Sequence, residues 1–298
     1  MREARTINPQ RLRDNLTGYL FIGPQLFGIV VFVLIPLFYA LYLSLYRWDL
    51  LSPPRYVGLS NFTEALNSRV FWSAVRSTLS YSALYIPLNI GLALLFALLL
   101  NQIRGKVVFR TLFFLPVITN SVAASLVWAW LLNADFGLIN QGLKSVGVVA
   151  PPRWLLSPDS AMLGIVLMSV WWTVGVNMVI FLAGLQGIPA IYYEAAALDG
   201  ANSRQRFLHV TLPMLSPTIF FVLVITIIGS LQVFDQILVL TNGGPADSTR
   251  VFVMYLYTEA FQRFRMGTSS AAALMLFAVL LVLTIMQFRL QRRWVHYE

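Results

Sequence analysis

The sequence predicts an all-α, polytopic membrane protein with six transmembrane helices, and three observations carry that prediction. Of 298 residues, 58% are hydrophobic and 11% charged, against about a quarter charged in an ordinary soluble domain. Runs of about 20 apolar residues, the length that crosses a bilayer as a helix, recur near 19–46, 78–100, 111–132, 161–187, 214–240 and 268–288. The Lys and Arg residues lie dispersed beside those runs, so the net charge of +9 reads as positive membrane flanks and not as a nucleic-acid surface.

The first run is too long for a signal-peptide core and no small-residue cleavage site follows it, so it is expected to stay attached as a membrane helix. Pro24 and Pro36 interrupt the first run, Pro87 the second and Pro116 the third. Each removes a backbone donor, which a membrane tolerates where a neighbouring helix or a water-filled cavity meets the freed carbonyl. Kinked helices around a cavity suit a transporter, although kinks are also common in membrane bundles generally. The connections 47–76, 133–160 and 241–267 are rich in Pro, Gly, Asn and aromatic residues, as ordered turns and short interfacial helices are. There is no cysteine, which excludes disulfides and thiol chemistry. No soluble domain, low-complexity tract or internal repeat is visible, and 1–298 reads as one transmembrane domain.

Charge sets the expected orientation. Arg2, Arg5, Arg11, Arg13, Arg104, Lys106, Arg110, Arg204, Arg206, Arg289, Arg292 and Arg293 fall on one side, which is 12 of the 21 Lys and Arg on the shorter segments. That bias favours both termini in the cytoplasm, with cytoplasmic segments at 1–18, 188–213 and 289–298.

The fourth and fifth runs are joined by an unusual connector, "YYEAAALDGANSRQRFLHVTLP", residues 192–213. Ile188 and Pro189 mark a helix start, and Glu194 to Leu198 strongly favours helix. Gly200, after Asp199, stands where a helix closes through a left-handed residue. Asn202 or Ser203 can cap a second short helix, with Gln205 in place for a loose capping box. The expected product is helix, turn, helix. Ile191, Ala195 and Leu198 share one face of the first helix, and its small apolar residues beside a carboxylate make a docking surface. A connector that only reverses the chain needs about six residues.

These residues carry a family resemblance. Glu194-Ala195-Ala196, Gly200 at the seventh position, Val210 at the seventeenth and Leu212-Pro213 at the nineteenth and twentieth resemble the EAA loop of ATP-binding-cassette (ABC) importer permeases. Val210 stands where isoleucine is usual. "YVGLSNF", "FFLPVITNSVAASLVWAWLL", "GLINQGL" and "VFDQILVLTNGGPADST" extend the likeness over nearly the whole chain. They are similar to the first of the two paired permeases of maltose, glycerol-3-phosphate and multiple-sugar systems. The resemblance implies a type I importer bundle in a prokaryotic inner membrane, serving a sugar or sugar derivative. It also implies a second permease subunit, two cytoplasmic ATPase subunits, an extracytoplasmic solute-binding protein, and ATP with Mg on the ATPase and not on this chain. Glu194, Ala195, Ala196, Leu198, Asp199 and Gly200 then form the docking and turn elements, and Leu212 and Pro213 set the return into the fifth run.

Polar residues inside the apolar runs are the candidates for a solute path, because hydrocarbon makes an unpaired polar group costly. They are Asn89, Asn120, Ser121, Asn177, Gln232 and Asp235, with Trp171 and Trp172 as surfaces for a sugar ring. Interhelical bonding and interfacial anchoring are the plainer roles for such residues. "GLINQGLKS" imitates a phosphate-binding loop through Gly137, Gly142, Lys144 and Ser145, but Leu143 intrudes before the lysine and no strand precedes it. His209 and His296 are far apart and read as surface side chains. An ion-coupled secondary transporter is the alternative, and would show intramembrane ionisable pairs and inverted repeats. A membrane enzyme would need clustered acids, histidines or a nucleophile, and none cluster.

Overall fold

The computed structural model describes residues 9–103 and 105–295, with side chains from residue 17 and without that of Lys106. Arg2, Arg5, Arg104 and His296 lie outside the described residues, as do the side chains of Arg11 and Arg13. In chain order the elements begin with α1 (Pro9–Ile29), a π-helical turn (Val30–Leu34), α2 (Ile35–Ser44), β1 (Tyr46–Arg47), β2 (Arg55–Tyr56), α3 (Ser60–Leu66) and α4 (Arg69–Asn101). Then come α5 (Lys106–Ile118), α6 (Ser121–Leu131), α7 (Leu138–Ser145), α8 (Pro158–Gly187), α9 (Ala190–Leu198) and α10 (Ser203–Arg206). A π turn (Phe207–Thr211) leads to α11 (Leu212–Met214), α12 (Ser216–Leu231), α13 (Asp235–Leu240) and α14 (Phe252–Tyr257). A last π turn (Thr258–Gln262) precedes α15 (Met266–Gln291). The helical class agrees with the sequence, apart from one two-residue antiparallel hairpin. Among the described residues, four helices are long and apolar enough to cross a membrane, or up to six if each of two bent pairs is one span.

The chain forms two compact units. The first comprises Met1–Ala65 with Glu259–Met275. Its apolar helix carries the π turn ahead of Pro36, where Ile35 donates to the Val30 carbonyl five residues back. The wider turn makes room for a proline ring that would press on an ordinary helical carbonyl. Past Ser44 the hairpin pairs Tyr46 with Tyr56 and Arg47 with Arg55, and the two tyrosine rings meet edge on at 5.4 Å. Buried Asn61 donates from Nδ2 to the carbonyls of Ser44 (2.8 Å) and Tyr46 (2.9 Å), satisfying groups that the helix end and the short strand leave open. Gly267 lies so close to the Tyr46 carbonyl that a Cβ there would collide with it. Asp49 accepts from Ser52 Oγ (2.7 Å) and from the Ser52 and Leu51 amides, and the Ser52 hydroxyl holds its carboxyl below the usual range.

The second unit comprises Leu66–Thr258 with Leu276–Glu298. Ser68 caps α4, accepting from the Phe71 amide at 3.4 Å. α4 and α8 form the most extensive helix pair, and the core around them is built from Tyr81, Ala93, Ile165, Met178, Phe181 and Leu215. Small residues allow backbones to meet: Gly175 of α8 lies against the Phe113 and Phe114 backbone of α5, and Gly184 of α8 against Thr218 of α12.

The fifth and third apolar runs are not the single helices that hydropathy predicts. The third is α5 and α6, inclined at 97°. Pro116 sits in the last turn of α5, Thr119 is extended, and the Asn120 side chain accepts from the Val122 amide at 2.8 Å, so a helix stops and a capped one starts within three residues. The fifth starts at a 64° bend between the connector's Ser203–Met214 helix and α12, ends near Gln232 and restarts as α13 at Asp235. The connection 133–160 is ordered around buried Asn140, which accepts from Trp154 Nε1 (2.7 Å) and donates to the Ala134 and Pro152 carbonyls (3.1 Å each).

Candidate functional site

Two sites stand out in the second unit. The first is the connector. α9 closes as the sequence anticipates: Gly200 has φ +77°, the Gly200 amide donates to the Ala197 carbonyl (3.1 Å) and the Ala201 amide to the Ala196 carbonyl (2.9 Å). These are the paired bonds of a Schellman turn, which needs a left-handed residue. The helix itself begins one residue after Pro189, whose extended backbone makes it the cap. Asn202 and Gln205 then exchange both bonds of a capping box, at 2.8 and 2.9 Å. Tyr193 Oη pairs with Thr211 Oγ1 at 3.1 Å, tying α9 to the helix that follows. Leu212 and Pro213 form the turn ahead of the 64° bend.

No residue of α9 is buried. Ile191 is 67% and Leu198 90% exposed, with Glu194 and Ala195 exposed beside them. Ile191 and Leu198 thus leave an apolar ridge uncovered on a helix anchored at both ends. His209 is exposed, its Nδ1 3.0 Å from the Gln205 carbonyl.

The second site is a polar seam between α4 and α8. Tyr81, Tyr85 and Asn89 recur every four residues on α4, and Ser169, Thr173 and Asn177 on α8. Tyr85 Oη pairs with Thr173 Oγ1 (2.8 Å), Asn89 Nδ2 donates to Thr173 Oγ1 (2.9 Å), and Asn177 Nδ2 donates to Asn89 Oδ1 (2.6 Å) and Thr226 Oγ1 (3.1 Å). Asn89 and Asn177 are buried in this chain of bonds, which joins α4, α8 and α12. The upper end of the seam opens into a cavity of about 260 Å3, walled by Tyr81, Tyr85, Trp172, Thr173, Gln232, Asp235 and Gln236 among others. That is just below the range of about 300–1,000 Å3 for small-molecule pockets.

Of the sequence candidates, Trp172, Gln232 and Asp235 meet on this wall. Trp172 is fixed by its Nε1 bond to the Thr119 carbonyl (3.1 Å), and Asp235 Oδ2 accepts from Ser121 Oγ (2.9 Å) across the α6–α13 contact. Asn120 is the α6 cap beside them. Trp171 points elsewhere, into an apolar groove with Phe96, Phe113 and Pro116, where its ring tilts on Trp128 at 5.7 Å. Tyr81, Tyr85 and Thr173 escaped the sequence reading, although their four-residue spacing was a visible signal. Gly137–Ser145 is mostly helix α7, with Ser145 Oγ bonded to the Gly142 carbonyl, and has no phosphate-loop geometry.

The seam carries a prediction. Asn177→Leu leaves the Asn89 carbonyl oxygen without its donor in a buried site, a loss of about 1–3 kcal/mol. A thermal melt of the detergent-purified chain should shift down accordingly while membrane insertion is unchanged; an unshifted melt means the seam adds nothing to packing.

Comparison with known proteins follows the same lines. The fold is similar to that of a bacterial ABC transporter involved in the import of the acidic polysaccharide alginate, with TM-score 0.80 at 24% identity over 95% of this chain and 98% of that chain. Among curated proteins, the probable ABC transporter permease protein YesP of Bacillus subtilis is 39% identical, covering 100% of this chain and 96% of that protein. The trehalose/maltose permease MalF of Thermococcus litoralis is 35% identical, covering 95% and 96%. The sn-glycerol-3-phosphate permease UgpA of Agrobacterium fabrum is 34% identical, covering 95% and 97%. These relatives are transport permeases and not enzymes, and they disfavour the ion-coupled alternative. The profile described as "Binding-protein-dependent transport system inner membrane component" matches residues 89–296, and with full-length relatives at this identity the chain belongs to that family of ABC transporter permeases.

Proposed function

We propose that the chain forms half of the path by which an ABC importer takes up an uncharged sugar or polyol, and that α9 transmits the work of a separate ATPase to that path. The exposed ridge of Ile191, Ala195 and Leu198 on a helix fastened at Tyr193 and Gly200 is the observation that carries the coupling role. In this reading both termini and the connector are cytoplasmic, ATP and Mg reside on two ATPase subunits, and a companion permease supplies the other half. A solute-binding protein delivers the solute from the far side. Closing of the ATPase dimer moves α9 as a lever, and Gly184 packed on Thr218 makes the ends of α8 and α12 move together. ATP then shifts the population between inward- and outward-open bundles, because the two states hold the ATPase differently.

The cavity argues for the class of solute. Its wall offers aromatic faces, amides, hydroxyls and one carboxylate, with neither Lys nor Arg among the described lining residues. Aromatic rings and amides suit sugar C–H faces and hydroxyls, whereas a phosphate ester would meet Asp235 without a cation. On this reading the chain differs in solute charge from the importer of the acidic polysaccharide alginate and from the sn-glycerol-3-phosphate permease. In proteoliposomes holding the complete complex, uptake should be competed by neutral oligosaccharides and not by sugar phosphates or uronates. Trp172→Ala should lower uptake about tenfold, matching the loss of roughly 1–1.5 kcal/mol of ring contact. Preferential competition by a sugar phosphate would reverse the assignment.

A further inference from the structure

A second polar cavity, apart from the one at the α4–α8 seam, lies in the first unit. It measures about 560 Å3 and is walled by the hairpin, α3 and the segment that leads into α15. Four arginines face it, Arg47, Arg55, Arg263 and Arg265, against the carboxylates of Asp49 and Glu64. Glu64 is shared, with Arg265 at 3.0 Å and Arg47 at 3.5 Å, and Arg265 also reaches Glu259 at 3.9 Å. Asp49 is committed to the Ser52 hydroxyl and two amides. Behind the wall, buried Glu259 holds Arg263 at 2.6 Å. Arg55 has no carboxylate within 4.0 Å among the described residues. Even counting Glu259, the cavity keeps an excess of positive charge. Gly267 and Thr268 bring the amino end of the 26-residue helix α15 to the same wall, adding its positive dipole end.

Position narrows the ligand. The cavity begins where the first apolar helix ends at Ser44 and where the last one starts at Met266, which places it at the membrane surface. Trp48 lines it, as interfacial tryptophans do. Leu51 is 93% exposed at the hairpin tip, and Phe38, Tyr39, Leu41 and Tyr42 of α2 offer exposed apolar surface for acyl chains leading away from it. Arginine forks match phosphate geometry, and the volume accommodates a headgroup.

We propose that this arginine-lined cavity binds the phosphate of an anionic phospholipid headgroup, with the acyl chains lying along α2. Binding would add a shared anion between the hairpin and the segment ahead of α15, which already meet through the Met266 amide on the Trp48 carbonyl (3.1 Å) and through Arg47 and Arg265 on Glu64. The same phosphate chemistry could be met by free inorganic phosphate, and the experiment separates the two. The full-length chain is purified into nanodiscs of phosphatidylcholine alone or with phosphatidylglycerol, then examined by native mass spectrometry for retained lipid and by thermal melting, with and without inorganic phosphate. Wild-type protein should retain phosphatidylglycerol over phosphatidylcholine and melt higher in its presence. Arg55→Gln breaks no ion pair of the fold and should cut that preference about tenfold, and Arg55→Gln with Arg47→Gln should abolish it. Arg69→Gln, on the separate helix α4, is the control that leaves it intact. Equal retention by wild type and the Arg55 variants overturns the proposal. Stabilisation by inorganic phosphate in phosphatidylcholine alone, with no preference for phosphatidylglycerol, overturns the lipid source. Loss of solute-binding-protein docking in the variants at unchanged lipid retention makes the cavity a protein dock and overturns it too.

Discussion

Gly175→Leu chains should leave almost no folded protein in the membrane fraction, whereas Gly142→Ala chains should behave as wild type. At Gly175 a Cβ would fall on the Phe113 carbonyl, with the Phe114 Cα at 3.1 Å, so the obstacle is backbone and no rotamer change relieves it. α5 and α8 would have to separate, taking apart the contact that positions Trp171, Trp172 and the 97° bend that follows α5. Overpacking of a rigid contact destabilises by about 1–3 kcal/mol and occasionally more. Gly175→Ala should fall near the top of that range, and Leu beyond it. At Gly142 a Cβ meets nothing within 4 Å, and alanine in a helix is favoured over glycine by roughly 0.5–1 kcal/mol. Fluorescence-detected size exclusion of tagged chains reads both outcomes. A monodisperse Gly175→Leu peak at wild-type height would show that the two helices are not held at backbone contact.

How much of this the sequence disclosed depends on whether the determining contacts are local. The connector was readable nearly residue by residue, because a Schellman turn at Gly200 and a capping box at Asn202 and Gln205 are decided within a few neighbours. The bends were not. Hydropathy registers 111–132 as one run, and only the conjunction of Pro116 with the capping side chain of Asn120 divides it. Long-range pairings were invisible for the same reason: Ser121 meets Asp235 across 114 positions, and Arg265 meets Glu64 across 201. The seam fell between these extremes. Asn89 and Asn177 stood out as amides in apolar runs, but that they bond to each other and leave Tyr85 and Thr173 to reach the cavity depends on how α4 faces α8.

Two substitutions on the connector should separate docking on an ATPase from transmission of its work. Leu198 is 90% exposed, so Leu198→Glu removes no packing from the chain itself. In the proposed docking of α9 on an ATPase that leucine becomes buried, a gain of about 1.5–3 kcal/mol for a full-sized apolar side chain, and a carboxylate in its place adds the penalty of desolvating a charge. Uptake by the reconstituted complex should therefore drop well over tenfold at unchanged expression and unchanged solute-binding-protein affinity. Gly200→Val acts differently: its φ of +77° disfavours a branched residue by roughly 1–2 kcal/mol, so the turn opens and α9 loses its fixed angle while keeping its apolar face. Such a complex should still assemble and hydrolyse ATP at or near the basal rate, but move about tenfold less solute per ATP. The two variants together test the lever itself, since loss of docking lowers both activities and loss of rigidity lowers only their ratio. Wild-type stoichiometry in Gly200→Val would mean that α9 transmits force without a defined angle, and the coupling would then have to run through another contact.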